Sequence, residues 1–354
     1  MMIGFCCATP YHILLSINMA NNEFANEDKC LILYNHFKNA NSIITRIKKL
    51  NIFKRVFLLD DSKKIPKLSY YLALPGELKK ILNEYEFCEV IFFALDSLIN
   101  SQIIKYVIKK NPQCTISLGD DGLGTYLNSE LYKYDLQFWK RKLLLKILHR
   151  THFFDLYRKT YIVNPELLTY KTPMQVVKIK TLDFQSTDLR HIVTFLWKNQ
   201  DNVDYDIVFL QQPFLEDHLF NLEDVQRNAI KILCSTAHNK KISIKVHPRS
   251  DNRYLFQTQN VSVQNVDIPF EATLSFSMNK KTLVTIYSTA VMTPFLLAGL
   301  TPNIVVLLNL TDDSQRISKL YKFFQKFKDK YEKRGGKIYF PKSYQEYESL
   351  IQKL

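Results

Sequence analysis

Short apolar runs alternate with longer segments of helical periodicity in the first 120 residues of the chain. The short runs are continuously apolar, which is typical of parallel strands that are buried on both faces of a sheet. The pattern predicts strands at Ile3–Ala8, Cys30–Tyr34, Val56–Leu59, Glu89–Ala94 and Thr115–Leu118, and helices at Tyr11–Asn21, Ala40–Leu50, Pro75–Glu86 and Ser97–Lys110.

The alternation stops in the middle of the chain and then restarts. Residues 130–160 form a basic, aromatic stretch of helical character without strand character, and residues 171–190 resemble a connection. After residue 200 the pattern predicts strands at Ile207–Leu210, Ile242–Val246, Val261–Val263, Leu283–Ile286 and Ile304–Leu308, and helices at Leu222–Ala237, Ala272–Met278, Ser288–Ala298, Ser314–Arg334 and Ser343–Leu354.

Two blocks of alternating strands and helices predict an α/β protein with two Rossmann-like domains that face each other across a cleft. We expect residues 1–180 to form the first domain and residues 181–354 the second, with the last helix free to cross back to the first. Ligands of open parallel sheets bind beyond the carboxyl ends of the strands. Polar residues that directly follow predicted strands are therefore the candidate site residues.

The composition is that of a folded and strongly basic protein. Of 354 residues, 46% are hydrophobic, and 48 Lys and Arg against 34 Asp and Glu give a formal net charge of +14. These values exclude a disordered, collagen-like or disulfide-scaffold protein. The six cysteines have no CxxC spacing, which favours a reduced, cytoplasmic protein. We expect no signal peptide, because the first residues lack a basic segment and a small-residue cleavage site. We expect no membrane-spanning segment, because no run reaches about 18 apolar residues.

Glycine is scarce, and its distribution marks one strand end. At the usual ~7%, a chain of this length would carry about 25 glycines, yet it has 8. Three of them, Gly119, Gly122 and Gly124, surround Asp120 and Asp121 directly after a predicted strand. Glycine permits positive φ or close backbone approach, and two adjacent carboxylates suit a general base with an orienting neighbour. A plain surface turn is the alternative, since Asp-Gly is a common turn dipeptide.

A second candidate follows the predicted strand that ends at Val246. His247 can donate a proton near neutral pH, and Lys245 and Arg249 can offset the charge of a phosphate. Pro248 would fix the turn that aims the imidazole. The alternative is a histidine that only caps or packs against the strand.

A third candidate lies where a predicted strand gives way to a helix at Ser288 and Thr289. Hydroxyls and free N–H groups at a helix start can bind a phosphate, although N-capping alone explains one hydroxyl equally well. Glu271 precedes another predicted helix. Its carboxylate can accept hydrogen bonds from a ribose, or only favour the helix dipole.

In this chain order, the DDGxG, HPR, PFE and Ser-Thr motifs resemble those of bacterial sialyltransferases, most closely glycosyltransferase family 52, from about Ile3 to Leu308. The resemblance implies a GT-B fold, a CMP-sialic acid donor held mainly by the C-terminal half, and inverting transfer to a galactoside of lipooligosaccharide or capsule. It implies no cofactor and no metal.

The resemblance also implies roles for the motif residues. Asp121 would be the base that deprotonates the acceptor, with Asp120 in a supporting role. His247 would stabilise or protonate the departing phosphate. The donor would be held by residues of the second half, namely Lys245, Pro248, Arg249, Glu271, Ser288 and Thr289.

Other polar residues follow predicted strands and are weaker candidates. Thr9, Tyr11 and His12 follow the first strand and, with Gly122 and Gly124, would lie on the acceptor or sialic-acid side. Gln211 and Gln212 follow the first strand of the second half and would approach the donor. Asp204 and Asp206 form a DxD pattern, but they precede a strand, which favours a capping role over a metal site.

Partners of other kinds remain open alternatives. The basic helix predicted around Trp139–Phe154 is suited either to an anionic inner membrane, as a peripheral contact, or to a solvated helix face. A hexosyl donor such as a glucosyl nucleotide is the nearest alternative substrate, and the oligomeric state, a dimer included, is open. A nucleic-acid partner is disfavoured, because RNP, KH, helix-turn-helix and zinc signatures are absent from the sequence.

Overall fold

The computed structural model describes residues 1–37, 39–59, 76–93, 98–122, 125–126, 156–168, 170–198, 205–247, 250, 260–264, 268–274, 276–311 and 314–354. The chain divides into two compact units, Met1–Leu182 and Asp183–Leu354. Each unit contains one parallel sheet with helices, so the predicted α/β class with two Rossmann-like units is confirmed.

The N-terminal unit is built on a seven-stranded sheet in the order β3-β2-β1-β4-β5-β6-β7, in which every pairing is parallel. The order reverses between β1 and β4, which is where Rossmann-type sheets open a crevice for ligands. Its elements are β1 Met2–Cys7, α1 Pro10–Asn21, β2 Asp28–Tyr34, α2 Ala40–Lys49, β3 Arg55–Leu59, α3 Gly76–Glu84, β4 Phe87–Phe92, α4 Leu98–Lys110, β5 Thr115–Gly119, β6 Tyr157–Ile162 and β7 Gln175–Lys178.

The C-terminal unit repeats this arrangement with six parallel strands in the order β10-β9-β8-β11-β12-β13. Here the order reverses between β8 and β11. Its elements are α5 Thr187–Trp197, β8 Ile207–Leu210, α6 Phe220–Thr236, β9 Ile242–Lys245, β10 Val261–Val263, β11 Thr282–Thr285, α7 Thr293–Ala298, β12 Asn303–Val306, α8 Ser314–Lys333, β13 Lys337–Tyr339 and α9 Tyr344–Lys353.

The central strands are apolar because the sheets are covered on both faces. Every residue of β1 and of β8 is buried. Helix α1 is itself a core element, since nine of its twelve residues are buried. It begins where the sequence indicates a helix start: the Thr9 side chain accepts a hydrogen bond from the His12 N–H, and Pro10 occupies the first turn.

Some elements were not predicted, and most of these lie in polar sequence. β6 begins at Tyr157, so the expectation that residues 130–160 lack strand character is wrong at its end; residues 127–155 lie outside the described residues. The expected connection at 171–190 contains β7 and the start of α5. β7 and β13 are edge strands, and edge strands carry polar residues because one side meets solvent.

The expected helix at Ala272–Met278 is replaced by two 3₁₀ segments, Phe270–Thr273 and Phe276–Lys280, with extended backbone at Leu274 between them. The expected helix at Ser288–Ala298 begins as a 3₁₀ turn, Thr289–Met292, that continues into α7.

The last helix, α9, packs within the C-terminal unit. Its Tyr347 and Ile351 join the apolar core that contains Leu233 of α6, and the Lys240 Nζ donates a hydrogen bond to the Leu354 carbonyl at 3.2 Å. None of the helices in the described ranges has the length and apolar character needed to cross a bilayer.

Replacing Gly119 with alanine tests the close packing at the end of β5. An added Cβ would penetrate the Phe93 ring, which is fully buried, so we expect a loss of about 1–3 kcal/mol in the free energy of unfolding, measured by urea denaturation. Gly76→Ala at the start of α3 is the matched control, because an added Cβ there meets no atom within 4 Å. Equal stabilities of the two variants would contradict the packing argument.

Candidate functional site

The paired acids lie at the carboxyl end of β5, and the structure gives them different surroundings. Asp120 is fully buried, whereas the Asp121 side chain is 37% exposed. Gly119 is glycine because Phe93 occupies the space of a side chain, and Gly122 adopts φ +70°, a left-handed conformation that glycine accepts at low cost. Gly124 lies outside the described residues.

Asp120 is a buried anchor of the N-terminal unit. Its carboxylate accepts hydrogen bonds from the hydroxyls of Tyr11 at 3.3 Å and Tyr126 at 2.5 Å, and from the N–H groups of Gly122 at 2.9 Å and Val163 at 3.2 Å. Desolvation raises the pKa of Asp120 to about 6, although the bonds from Tyr126, Val163 and Gly122 oppose that rise. A buried carboxylate with four donors holds the surrounding segments together.

Asp121 is the acid that reaches solvent. Its backbone N–H donates to the Thr125 hydroxyl at 2.7 Å, which fixes the chain direction after β5. Its Oδ1 lies 2.5 Å from His12 Nε2. The Tyr170 hydroxyl in turn donates to the Thr125 carbonyl at 2.8 Å, so the segment is held from a second side. The Asp121 side chain is thus exposed to solvent and fixed in position by hydrogen bonds.

His12 lies behind Asp121 in the first turn of α1. It is 1% exposed, its Nδ1 lies 3.1 Å from the Ala8 N–H, and its ring stacks on Phe93 with centroids 5.2 Å apart. Thr9, also a sequence candidate, caps the same turn. The structure therefore brings together Thr9, Tyr11, His12, Asp120, Asp121 and Gly122.

Sequence reasoning missed several residues of this cluster. Tyr126, Val163 and Tyr170 come from segments for which no strand was predicted, and Val163 acts through its backbone N–H, which no residue type reveals. Thr125 follows the glycine motif directly and carries a hydroxyl. Its hydroxyl is the feature of the sequence from which a contact with the Asp121 loop could have been predicted.

In the C-terminal unit, Gln212 joins the ends of the two strands at which the sheet order reverses. Its Oε1 accepts a hydrogen bond from the Tyr287 N–H at 3.0 Å, which links the segment after β8 to the segment after β11. Its own backbone is held by a residue that the sequence did not indicate: Gln226 of α6 accepts from the Gln212 N–H at 2.8 Å and donates to its carbonyl at 3.0 Å. Gln211 beside it is 3% exposed, and its N–H donates to the Lys245 carbonyl at 3.0 Å.

Ser288 and Thr289 are half-buried at the start of the 3₁₀ turn that leads into α7. The Ser288 hydroxyl accepts a hydrogen bond from the Ala290 N–H at 3.3 Å, and the Ser288 N–H donates to the Thr285 hydroxyl at 3.0 Å. N-capping by Ser288 is therefore present, and Thr289 lies beside it at the same strand end.

Lys245 is 6% exposed, and its Nζ donates a hydrogen bond to the Ile268 carbonyl. That bond ties the end of β9 to the segment that leads to the half-buried Glu271. In this structure Lys245 braces the segment that carries Glu271.

His247 is half-buried two residues after β9. Its carbonyl accepts a hydrogen bond from the Ser250 N–H at 2.9 Å, and the Ser250 hydroxyl donates to Glu216 at 3.0 Å. Glu216 thus anchors the turn from the segment after β8, which the sequence did not indicate. Pro248 and Arg249 lie outside the described residues.

Asp206 lies at the opposite end of β8 from these groups. It is exposed, and its carboxylate accepts a hydrogen bond from the Lys241 N–H at 2.8 Å, a capping contact of the kind that the sequence favoured. Asp204 is outside the described residues. Within the described parts of the chain, no three His, Cys, Asp or Glu side chains form a group able to hold a metal ion.

The sequence model of the alpha-2,8-polysialyltransferase (POLYST) family matches residues 5–307. No curated protein sequence gives a significant match. The resemblance to sialyltransferases that the motifs indicate is therefore confirmed at the level of the family.

Solved structures with the same fold include two sialyltransferases. The 2,6-sialyltransferase from Photobacterium sp. JT-ISH-224, in complex with CMP and lactose, gives a TM-score of 0.56 at 13% identity over 92% of this chain and 76% of that chain. Residues 113–497 of the Photobacterium damselae sialyltransferase, described as its GT-B domain, give a TM-score of 0.52 at 12% identity over 92% and 97% of the two chains.

The fold is shared more widely than this activity. A UDP-glucosyltransferase from Polygonum tinctorium, one capable of glucosylating indoxyl, gives a TM-score of 0.53 at 11% identity over 99% of this chain and 98% of that chain. At such identities the likeness establishes the GT-B fold and nothing finer.

The raised pKa of Asp120 predicts how stability depends on pH. Because the folded state holds the Asp120 proton to about pH 6 and the unfolded state to about pH 4, the folded state binds more protons in this window. The free energy of unfolding of the wild type, relative to Asp120→Asn, should therefore fall by roughly 1–3 kcal/mol as the pH rises from 4 to 6. Urea unfolding at several pH values measures this difference.

Asp329→Asn on the exposed part of α8 supplies the background for the loss of one carboxylate. A constant difference between wild type and Asp120→Asn from pH 4 to 7 would contradict the assignment of Asp120 as a buried carboxylate.

Proposed function

This chain belongs to the alpha-2,8-polysialyltransferase family, and we propose that it transfers sialic acid from CMP-sialic acid to a hydroxyl of a cell-surface glycan. It is a glycosyltransferase of the sialyltransferase class. The family match across residues 5–307 is the observation that carries the proposal. The paired acids add support, because one is buried as an anchor and the other is exposed and oriented.

Asp121 is the general base of the proposed reaction. A base must be accessible to the acceptor, and the Asp121 side chain is 37% exposed whereas Asp120 is fully buried. As the acceptor oxygen attacks the anomeric carbon of sialic acid, its proton passes to Asp121, and CMP leaves from the opposite face with the bonding electrons. Attack opposite the leaving group inverts the anomeric configuration. Asp120 and Gly122 hold the loop, and Thr9 and Tyr11 support it from α1.

The donor groups of the proposed site come from the strand ends of the C-terminal unit. His247 donates a proton or a hydrogen bond to the departing phosphate, and Ser288 and Thr289 offer hydroxyls and N–H groups at a helix start. Glu271 accepts hydrogen bonds from the ribose. Lys245 acts by bracing the segment that carries Glu271, since its Nζ is bonded to the Ile268 carbonyl.

Gln211 and Gln212 belong to the same proposed donor site, at the end of β8. Gln212 supports it indirectly, because its side chain holds the Tyr287 N–H next to Ser288. Pro248 and Arg249, which follow His247 in sequence, are assigned to the same proposed donor site.

The acceptor has two candidates. A galactoside of lipooligosaccharide or capsule is the acceptor that the motifs imply, and the solved 2,6-sialyltransferase relative is described with lactose as its acceptor. The family's description, alpha-2,8, favours instead the hydroxyl of a terminal sialic acid. The proposed setting is the cytoplasmic side of the membrane that carries the glycan. The basic stretch 136–154, suggested as a membrane contact, lies outside the described residues.

Incubation with CMP-sialic acid and each of two acceptors, a lactoside and an α2,8-disialyllactoside, tests this function. We expect CMP release together with one product that is heavier by a sialyl residue and α-linked, as shown by mass spectrometry and NMR. Asp121→Asn should lower kcat by about 10²–10⁴-fold, because the amide cannot accept the proton. Its affinity for CMP, measured by calorimetry, should stay within about twofold of the wild type.

Asp329→Asn serves as the control for the loss of a carboxylate outside the site. Full transfer by Asp121→Asn would overturn the assignment of the base. Transfer of glucose from a UDP donor, with none from CMP-sialic acid, would overturn the choice of donor.

Chelation of divalent metal ions should leave the rate of sialyl transfer unchanged. CMP carries a single phosphate, whose charge N–H donors and cationic side chains can offset without a divalent ion. We expect initial rates within about twofold with excess EDTA or with added Mg²⁺ or Mn²⁺. A rate that disappears with EDTA and returns with Mn²⁺ would contradict the metal-independent mechanism.

A further inference from the structure

Three side chains and one glycine form a column that ends at Asp121. Gly119 leaves room for the Phe93 ring, and the His12 ring stacks on Phe93 with a centroid distance of 5.2 Å and an interplanar angle of 20°. His12 Nε2 then lies 2.5 Å from Asp121 Oδ1. The column consists of buried groups up to Asp121, whose side chain is 37% exposed.

The tautomer of His12 follows from its second hydrogen bond. The Ala8 backbone N–H points at Nδ1 at 3.1 Å, and an N–H can only donate. Nδ1 must therefore be unprotonated, and the ring proton of the neutral imidazole is on Nε2. The His12–Asp121 contact is thus an Nε2–H donating to a carboxylate oxygen. Hydrogen bonds from an N–H group to an ionised carboxylate are shorter and stronger than those between neutral groups.

We propose that His12 is a positioning residue for the base: its Nε2–H holds Oδ1 of Asp121, so that Oδ2 receives the proton of the acceptor hydroxyl. The inference rests on the proposed function. In the part of the chain that the structure describes, no group donates a hydrogen bond to Oδ2. In the reaction the acceptor O–H proton passes to Oδ2, the new O–C bond forms, and CMP departs with the electron pair, while His12 keeps its own proton.

Two other roles for His12 conflict with its surroundings. Direct contact with the acceptor conflicts with an exposure of 1%. Service as a proton shuttle requires a nitrogen with a free lone pair, and Nδ1 is occupied by the Ala8 N–H. The remaining alternative is that His12 only fills space beside Phe93.

Two substitutions separate positioning from space filling. His12→Gln keeps an N–H donor near the place of Nε2 but loses the stacked ring, whereas His12→Phe keeps the ring on Phe93 but has no donor. Positioning predicts that His12→Phe lowers kcat by about 10²-fold, as misplacement of a reacting group does, and that His12→Gln retains activity within about tenfold of the wild type. KM for CMP-sialic acid should stay within about threefold in both variants. Thermal melting verifies that both are folded.

The same pair of substitutions at His191, which is exposed on α5, is the matched control. Activity of His12→Phe equal to or above that of His12→Gln would overturn the proposal in favour of space filling. Wild-type activity in both variants would overturn it as well.

A measurement without substrate distinguishes failure of this inference from failure of the proposed function. In the ¹⁵N spectrum of the histidine-labelled wild type, the signals that disappear in His12→Gln should show an unprotonated Nδ1 and a protonated Nε2. The Nε2 proton should shift upfield in Asp121→Ala, which removes the acceptor. A protonated Nδ1 of His12 would overturn the proposal whatever the activities of the variants. If the wild type transfers no sialic acid but the spectrum is as expected, the hydrogen bond stands and the proposed function fails.

Discussion

The buried carboxylate of Asp120 is the contact on which the N-terminal site depends. Its four donors come from α1, from the loop after β5 and from the end of β6, so one side chain fixes three segments that are distant in sequence. A buried carboxylate that lost these partners would be strongly destabilising, because its desolvation would be uncompensated. The position of Asp121 follows from this anchor, since Asp121 is the next residue along the chain.

Adjacent acids with identical chemistry are thereby given different roles. Desolvation raises the pKa of Asp120 to about 6. The oxygens of Asp120 accept hydrogen bonds from groups inside the protein. Asp121 keeps 37% of its side-chain surface exposed and is oriented by one short hydrogen bond from His12. A buried anchor beside an exposed side chain is the arrangement expected where a functional group must be both accessible and fixed in position.

In the C-terminal unit, two glutamine amides connect the corresponding strand ends. Gln226 pairs with both backbone groups of Gln212, as a neighbouring strand would, and Gln212 in turn bonds to the Tyr287 N–H. These contacts fix the strand ends next to Ser288. Gln226 is itself held in place, because its Nε2 also donates a hydrogen bond to the buried Glu223 carboxylate at 3.2 Å.

Local patterns in the sequence determined most of the strands and helices. Short apolar runs indicated the central parallel strands, and the glycines around Asp120 and Asp121 mark a strand end because few residues tolerate φ +70° or the close approach of Phe93. β6, β7 and β13 were not predicted, because polar residues interrupt their apolar positions. For β7 and β13 the polar residues are explained by the position of the strand at the edge of its sheet, and that position is a property of the whole sheet. Only the tertiary structure decided which acid is buried and which histidine meets Asp121. His12 and Asp121 are 109 residues apart, and their contact depends on the order of strands in the sheet, which no local pattern specifies.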